Sequence, residues 1–130
     1  MDKRKLKHYA AKVKLENGGL DRRLVARVAG VTFEGRQDVI AQVEKQTPVR
    51  LVRDRRNEHD FYAVEVQVNL DGEWRQAGFI PNPMCRMISK NLDNGTKLGA
   101  SVHRVTGGMV SEFTGENLNY GLEINVVPMR

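Results

Sequence analysis

The sequence predicts a mainly β domain with two short helices, a small six-stranded barrel of the OB or SH3-like kind. Three observations carry that expectation. Apolar residues fall in short runs, either unbroken or alternating with polar ones, and Gly, Pro, Asn and Asp separate them. These runs are spaced regularly along the chain, as in small barrels and sandwiches. The alternation of strand and long helix that builds a doubly wound sheet is missing. A chain of 130 residues suits one domain and can bury roughly two-thirds of its unfolded surface.

Residues 1–19 read as a basic N-terminal arm, either disordered or a short helix, because Leu6, Tyr9, Ala10 and Val13 fall at helical spacing. Asn17-Gly18-Gly19 breaks that segment, and the domain is expected over residues 20–130. Leu24 to Phe33 is almost continuously apolar and reads as a buried strand. After Gly35, Val39, Ile40 and Val43 line a short helix that Thr47-Pro48 ends. Val49 to Arg53 reads as a second strand, followed by a polar loop from Asp54 to Asp60. Val64, Val66 and Val68 alternate with Glu65, Gln67 and Asn69, and Leu70-Asp71-Gly72 turns the chain into a partner strand over Glu73 to Ile80. Asn82 is placed to cap a helix with Pro83 in its first turn. That helix carries Met84, Met87, Ile88 and Leu92 on one face and ends at Asn94-Gly95. Ala100 to Val105 and Leu122 to Val126 complete the strands.

Lys and Arg number 21 against 16 Asp and Glu, a net charge of +5. The excess sits in one place. Residues 1–14 hold six basic residues against Asp2, while the other 116 residues hold fifteen of each sign. The arm therefore reads as a solvated tail, a phosphate-binding extension or a partner-docking helix. No apolar stretch approaches the ~18 residues of a membrane span, and no apolar region follows the basic start as in a secretory signal. A single cysteine, Cys85, excludes an internal disulfide and fits a reducing, cytoplasmic location. Cys85, His8, His59 and His103 are too scattered for a structural zinc site. Gly95-Thr96-Lys97 lacks the upstream glycine of a phosphate-binding loop, and no hydrolase or metalloprotease motif appears. No cofactor, metal or enzymatic activity is expected.

The densest polar segment is Arg53-Asp54-Arg55-Arg56-Asn57-Glu58-His59-Asp60. As a plain connection it needs only Asn57 and Asp60 to shape turns. Its chemistry also suits a nucleic acid. Arg53, Arg55, Arg56 and Asn57 are phosphate-type donors, His59 is a stackable ring, and Phe61 and Tyr62 follow as potential base platforms. Trp74 beside the hairpin turn either closes one end of the barrel or stacks on a base.

Four segments in order resemble the HIRAN domain, a module found at the N-terminus of fork-remodelling DNA translocases and as a standalone bacterial or phage protein. Val28 to Arg36 (VAGVTFEGR) resembles its opening strand, and Val49 to Asp54 its second. Asn57-Glu58-His59-Asp60-Phe61-Tyr62-Ala63-Val64 matches the pattern N-x-x-D-x-x-A-[VI], and Ala77-Gly78-Phe79-Ile80-Pro81 matches the G-[YFH]-[IL]-P strand end. The resemblance covers about residues 24–127 and implies a six-stranded barrel-like fold that binds single-stranded DNA and captures its 3′ end in repair or stalled-fork processing. By position, Asp60 would accept a hydrogen bond from the terminal 3′-hydroxyl, Asn57 would contact a phosphate, and Phe33 and His59 would hold the last base. The implied DNA-contact set is Thr32, Phe33, Arg36, Arg53, Arg55, Arg56, Asn57, His59, Asp60, Phe79 and Asn82. The chain departs from the family's end-binders in three places. Val31-Thr32-Phe33-Glu34 stands where they carry paired tyrosines, His59 where an aromatic ring is common, and Asn82 where a lysine is expected. A second reading follows from that altered clamp and the arm: a protein-interaction adaptor recruiting a helicase or nuclease.

Overall fold

A computed structural model describes residues 22–129. Six strands, β1 (Leu24–Arg27), β2 (Pro48–Arg53), β3 (Val64–Leu70), β4 (Glu73–Phe79), β5 (Leu98–Thr106) and β6 (Gly121–Pro128), form one sheet in the order β1-β6-β5-β2-β3-β4. Every neighbouring pair is antiparallel. Two helices interrupt the strands, α1 (Arg36–Ile40) before β2 and α2 (Met84–Asp93) between β4 and β5. The mainly β, OB-like architecture expected from the sequence is the one observed. Its closure is partial. The sheet's two edges, β1 and β4, meet through the single pair Ala29 and Phe79 just past the end of β1. There each residue's N–H donates to the other's carbonyl, at 2.8 and 3.0 Å.

The period-two pattern explains the inner face. Val64, Val66 and Val68 of β3 are fully buried, as are Leu122, Ile124 and Val126 of β6, Ala26 of β1 and Ala77 of β4. Each large one contributes roughly 1.5–3 kcal/mol by leaving water. Met87 and Ile88 from α2 and Ile40 from α1 cover this face, with Met84 and Leu92 packed at its margin. The apolar stripe of α2 is core packing. Asp71 and Gly72 both take positive φ (54° and 88°), the two-residue turn whose twist matches a β-hairpin.

Several local expectations are revised. Leu24–Phe33 is not one strand, for Gly30 turns the chain at φ 72° and residues 31–35 form a turn leading into α1. The first helix has five residues, although Ile40 and Val43 are buried as its spacing suggested. Pro83, not Asn82, occupies the cap position of α2, and no side chain caps it there. Trp74 lies beneath the Arg50 guanidinium, 4.3 Å from its ring centre. The basic arm, residues 1–19, lies outside the described residues. Among those described, no helix is long and apolar enough to cross a membrane.

Candidate nucleic-acid interface

The closure point of the sheet is also the wall of a cleft of about 240 Å³. Ala29 and Phe79 line one side. The β2–β3 loop supplies Asn57, His59, Asp60 and Ala63, and the segment entering α2 supplies Ile80, Pro81 and Asn82.

Three short polar side chains, spaced by three, build the loop. Asp54 Oδ1 accepts the Arg56 N–H at 3.2 Å. Asn57 Oδ1 accepts the N–H groups of both His59 and Asp60 at 2.9 Å. Asp60 Oδ1 accepts the Tyr62 N–H at 2.8 Å. Asn and Asp favour such local bonds because their side-chain oxygens mimic a backbone turn. Asn57 Nδ2 donates one hydrogen to Asp54 Oδ2 at 3.3 Å and retains a second. Asp60 Oδ2 faces the Cys85 thiol at 3.5 Å, and the same sulfur lies 2.9 Å from Asn82 Oδ1. Among the described residues no Lys or Arg pairs with Asp60.

Cys85 joins this group without a local sequence pattern to announce it, for Asp60 lies 25 residues away in the chain. Burial pushes its thiol up to about 11, with the Asp60 charge and hydrogen bond adding to the rise. The protonated thiol is therefore the native form. Its contribution to stability is present below the ordinary thiol range near 9 and is lost as pH rises towards 11. Folded protein at pH 8 should alkylate with iodoacetamide roughly a hundredfold more slowly than free cysteine, since only thiolate reacts. Labelling at the free-cysteine rate would show that the thiol is not held by Asp60 and Asn82.

The other expected contact residues take distinct positions. Phe33 is exposed on the turn before α1 beside Thr32, also exposed. A Cβ built on Gly30 would lie 4.0 Å from both the Phe33 and the Phe79 rings, so Phe33 stands near Phe79 but not among the residues that line the cleft. Arg36 is buried behind Phe79, its guanidinium 5.2 Å from that ring's centre. It donates to Gly30 O at 2.7 Å and Gln76 Oε1 at 2.6 Å. Arg53 and Arg55 converge on Asp93 of α2 at 3.2 and 2.8 Å. Burial works to raise the Asp93 carboxyl, but the Arg55 hydrogen bond and the Arg53 charge outweigh it and hold the group below the usual carboxylate range. Arg56 projects from the same loop, exposed. Asn57, His59, Asp60, Phe79 and Asn82 thus share one cleft and Phe33 stands near Phe79, while Arg36, Arg53 and Arg55 are engaged by protein groups. Among the described residues no group of three or more His, Cys, Asp or Glu is placed to hold a metal ion.

Residues 22–124 match the family model described as the HIRAN domain. Among solved structures the chain is similar to the crystal structure of the HIRAN domain of human HLTF, with a TM-score of 0.50 and 16% sequence identity, over 84% of this chain and 78% of that one. At that identity the likeness concerns the fold. No curated protein matches the sequence.

Proposed function

Since this chain belongs to the HIRAN domain family, whose members are DNA-binding modules, we propose that its cleft takes the 3′-hydroxyl end of a single DNA strand, as a binding module and not an enzyme, in repair or stalled-fork processing. The observation that carries this reading is Asp60. Its carboxylate lines a cleft otherwise walled largely by Ala29, Ala63, Phe79, Ile80 and Pro81, and the groups that donate to its oxygens, the Tyr62 N–H and the Cys85 thiol, carry no charge. A hydroxyl satisfies such a carboxylate as donor, whereas a phosphate is repelled by it. His59 and Phe33 then flank the last base, Phe79 lies under it, and the second N–H of Asn57 Nδ2 meets a phosphate.

Fluorescence anisotropy with matched oligonucleotides ending in 3′-hydroxyl or 3′-phosphate tests this. A hydrogen bond to a charged group is worth about 1.5–3 kcal/mol, so the 3′-hydroxyl strand should bind roughly ten- to a hundredfold more tightly. Asp60→Asn should narrow that ratio by readmitting the phosphate. Equal affinities for the two ends in the wild-type chain would remove end capture.

The adaptor reading is favoured by a different feature, the hairpin between β5 and β6. Its residues Met109, Val110, Phe113 and Leu118 are all exposed, Phe113 almost completely at 97%. Absence of DNA binding even at low salt would leave the adaptor reading standing alone.

A further inference from the structure

Phe61, immediately after Asp60, is 66% exposed and takes no part in the core cluster, yet its ring is held in place. The Arg53 guanidinium lies 5.4 Å from the ring centre. Tyr62 packs against the ring edge-on, with centroids 5.3 Å apart and planes at 84°. The arginine is itself fixed, its Nε on Asp93 and its Nη1 donating to Ala63 O at 3.1 Å. Arg53 is thereby explained as the support of a ring. An unburied aromatic side chain braced by a cation leaves apolar area in water that a flat ligand would cover.

A phosphate donor stands beside it. The guanidinium of Arg86 lies 4.9 Å from the Tyr62 ring centre and is exposed. Arg86 thus meets the same Tyr62 ring that packs edge-on against Phe61, which sets its charge beside the braced ring. Arg56, on the same loop as Phe61, adds a second exposed cation.

We propose that Phe61 is a second base-stacking platform and that Phe61 and Arg86 together form a subsite for the nucleotide preceding the terminal one. The ligand is a further nucleotide of the same strand, of any base, because stacking reads the π-face and not the hydrogen-bonding edge. The subsite rests on the single-strand reading above and extends it from an end pocket to a short track, with Asp60 setting the end and Phe61 the next step.

Titrating 3′-hydroxyl oligonucleotides of one to six nucleotides against the full chain tests it, using wild type, Phe61→Ala, Phe61→Leu and Phe61→Trp. Base–aromatic stacking is worth enough that Phe61→Ala should weaken binding about tenfold for strands of two or more nucleotides. It should leave a mononucleotide, and the preference for 3′-hydroxyl over 3′-phosphate, unchanged. Phe61→Trp should restore affinity and Phe61→Leu should not. Full affinity in Phe61→Leu would make the contact merely apolar and overturn the stacking assignment. Wild-type affinity in Phe61→Ala at every length would overturn the subsite while leaving end capture intact. A wild-type chain that binds none of the strands would overturn the single-strand reading and the subsite with it. Phe61 lies outside the core, so matched thermal melts should confirm that every variant folds.

Discussion

Gly78→Ala should destabilise the domain by about 3 kcal/mol, the upper range for forcing atoms into a packed interior. Gly78 is buried in β4, next to the residue that closes the sheet. A Cβ there would strike the Ala29 carbonyl oxygen and lie 2.6 Å from Val28 Cγ1. The carbonyl belongs to backbone already bonded to Phe79 in both directions, so it cannot swing aside as a long side chain would. The mutant must part the two edges of the sheet or shift β4 as a whole. Ala29 and Phe79 both line the cleft, so DNA affinity should fall in whatever fraction stays folded. Urea denaturation and an oligonucleotide titration on the same sample measure both losses. Gly72→Asn is the control. Gly72 also has positive φ, but open space surrounds it and asparagine tolerates that conformation. A Gly78→Ala protein that melts with wild type would show that β1 and β4 do not approach so closely.

Arg36→Lys should destabilise nearly as much as Arg36→Ala, each by about 2–3 kcal/mol. Arg36 is 7% exposed, and its guanidinium serves four neighbours at once: Gly30 O, Gln76 Oε1, the face of Phe79 and the Glu34 carboxylate at 3.5 Å. Gln76 in turn donates to Glu65 Oε1, so the fork links the turn before α1 to β4 and β3. Lysine carries a point charge without the planar fork and cannot reproduce that geometry. A phosphate-binding arginine would behave differently. Its replacement by lysine would leave the fold intact and retain much of the affinity. Chemical denaturation of both variants, with DNA titrations corrected for the folded fraction, separates the roles. Unchanged stability in Arg36→Lys would return Arg36 to the DNA surface.

Much of the architecture was legible because local signals agree with the final packing. The valines of β3 alternate cleanly, Asp71-Gly72 allows one kind of turn, and the stripe on α2 needs a core to face. The opening segment was less legible for a physical reason. Leu24 to Phe33 is apolar enough for a strand, but Val28 is buried in the core and Phe33 is 64% exposed, because Gly30 reverses the chain between them. Hydrophobicity alone does not say which of two apolar residues faces inward. The same holds for charge. Arg36, Arg53 and Arg56 look alike in sequence, yet the first is buried behind Phe79 and the second braces Phe61. Only tertiary neighbours distinguish a donor aimed at solvent from one consumed by carbonyls. The cleft residues Asn57, His59 and Asp60 were legible through their pattern. Cys85 was not, because its partner Asp60 lies 25 residues away in the chain.

The closure of the sheet carries one further consequence. Among the described residues, β1 and β4 are joined by one residue pair, and that pair forms a wall of the cleft. A strand seated against Ala29, Phe79 and Asp60 would bridge this seam as well as occupy a site, so occupancy and closure become a single equilibrium. By mass action, ligand at a hundredfold over its dissociation constant adds about 2.7 kcal/mol to the folded state. The converse is expected as well: denaturant that loosens the seam should weaken binding. The end of a bound strand would then act as a second fastening beside the Ala29–Phe79 pair.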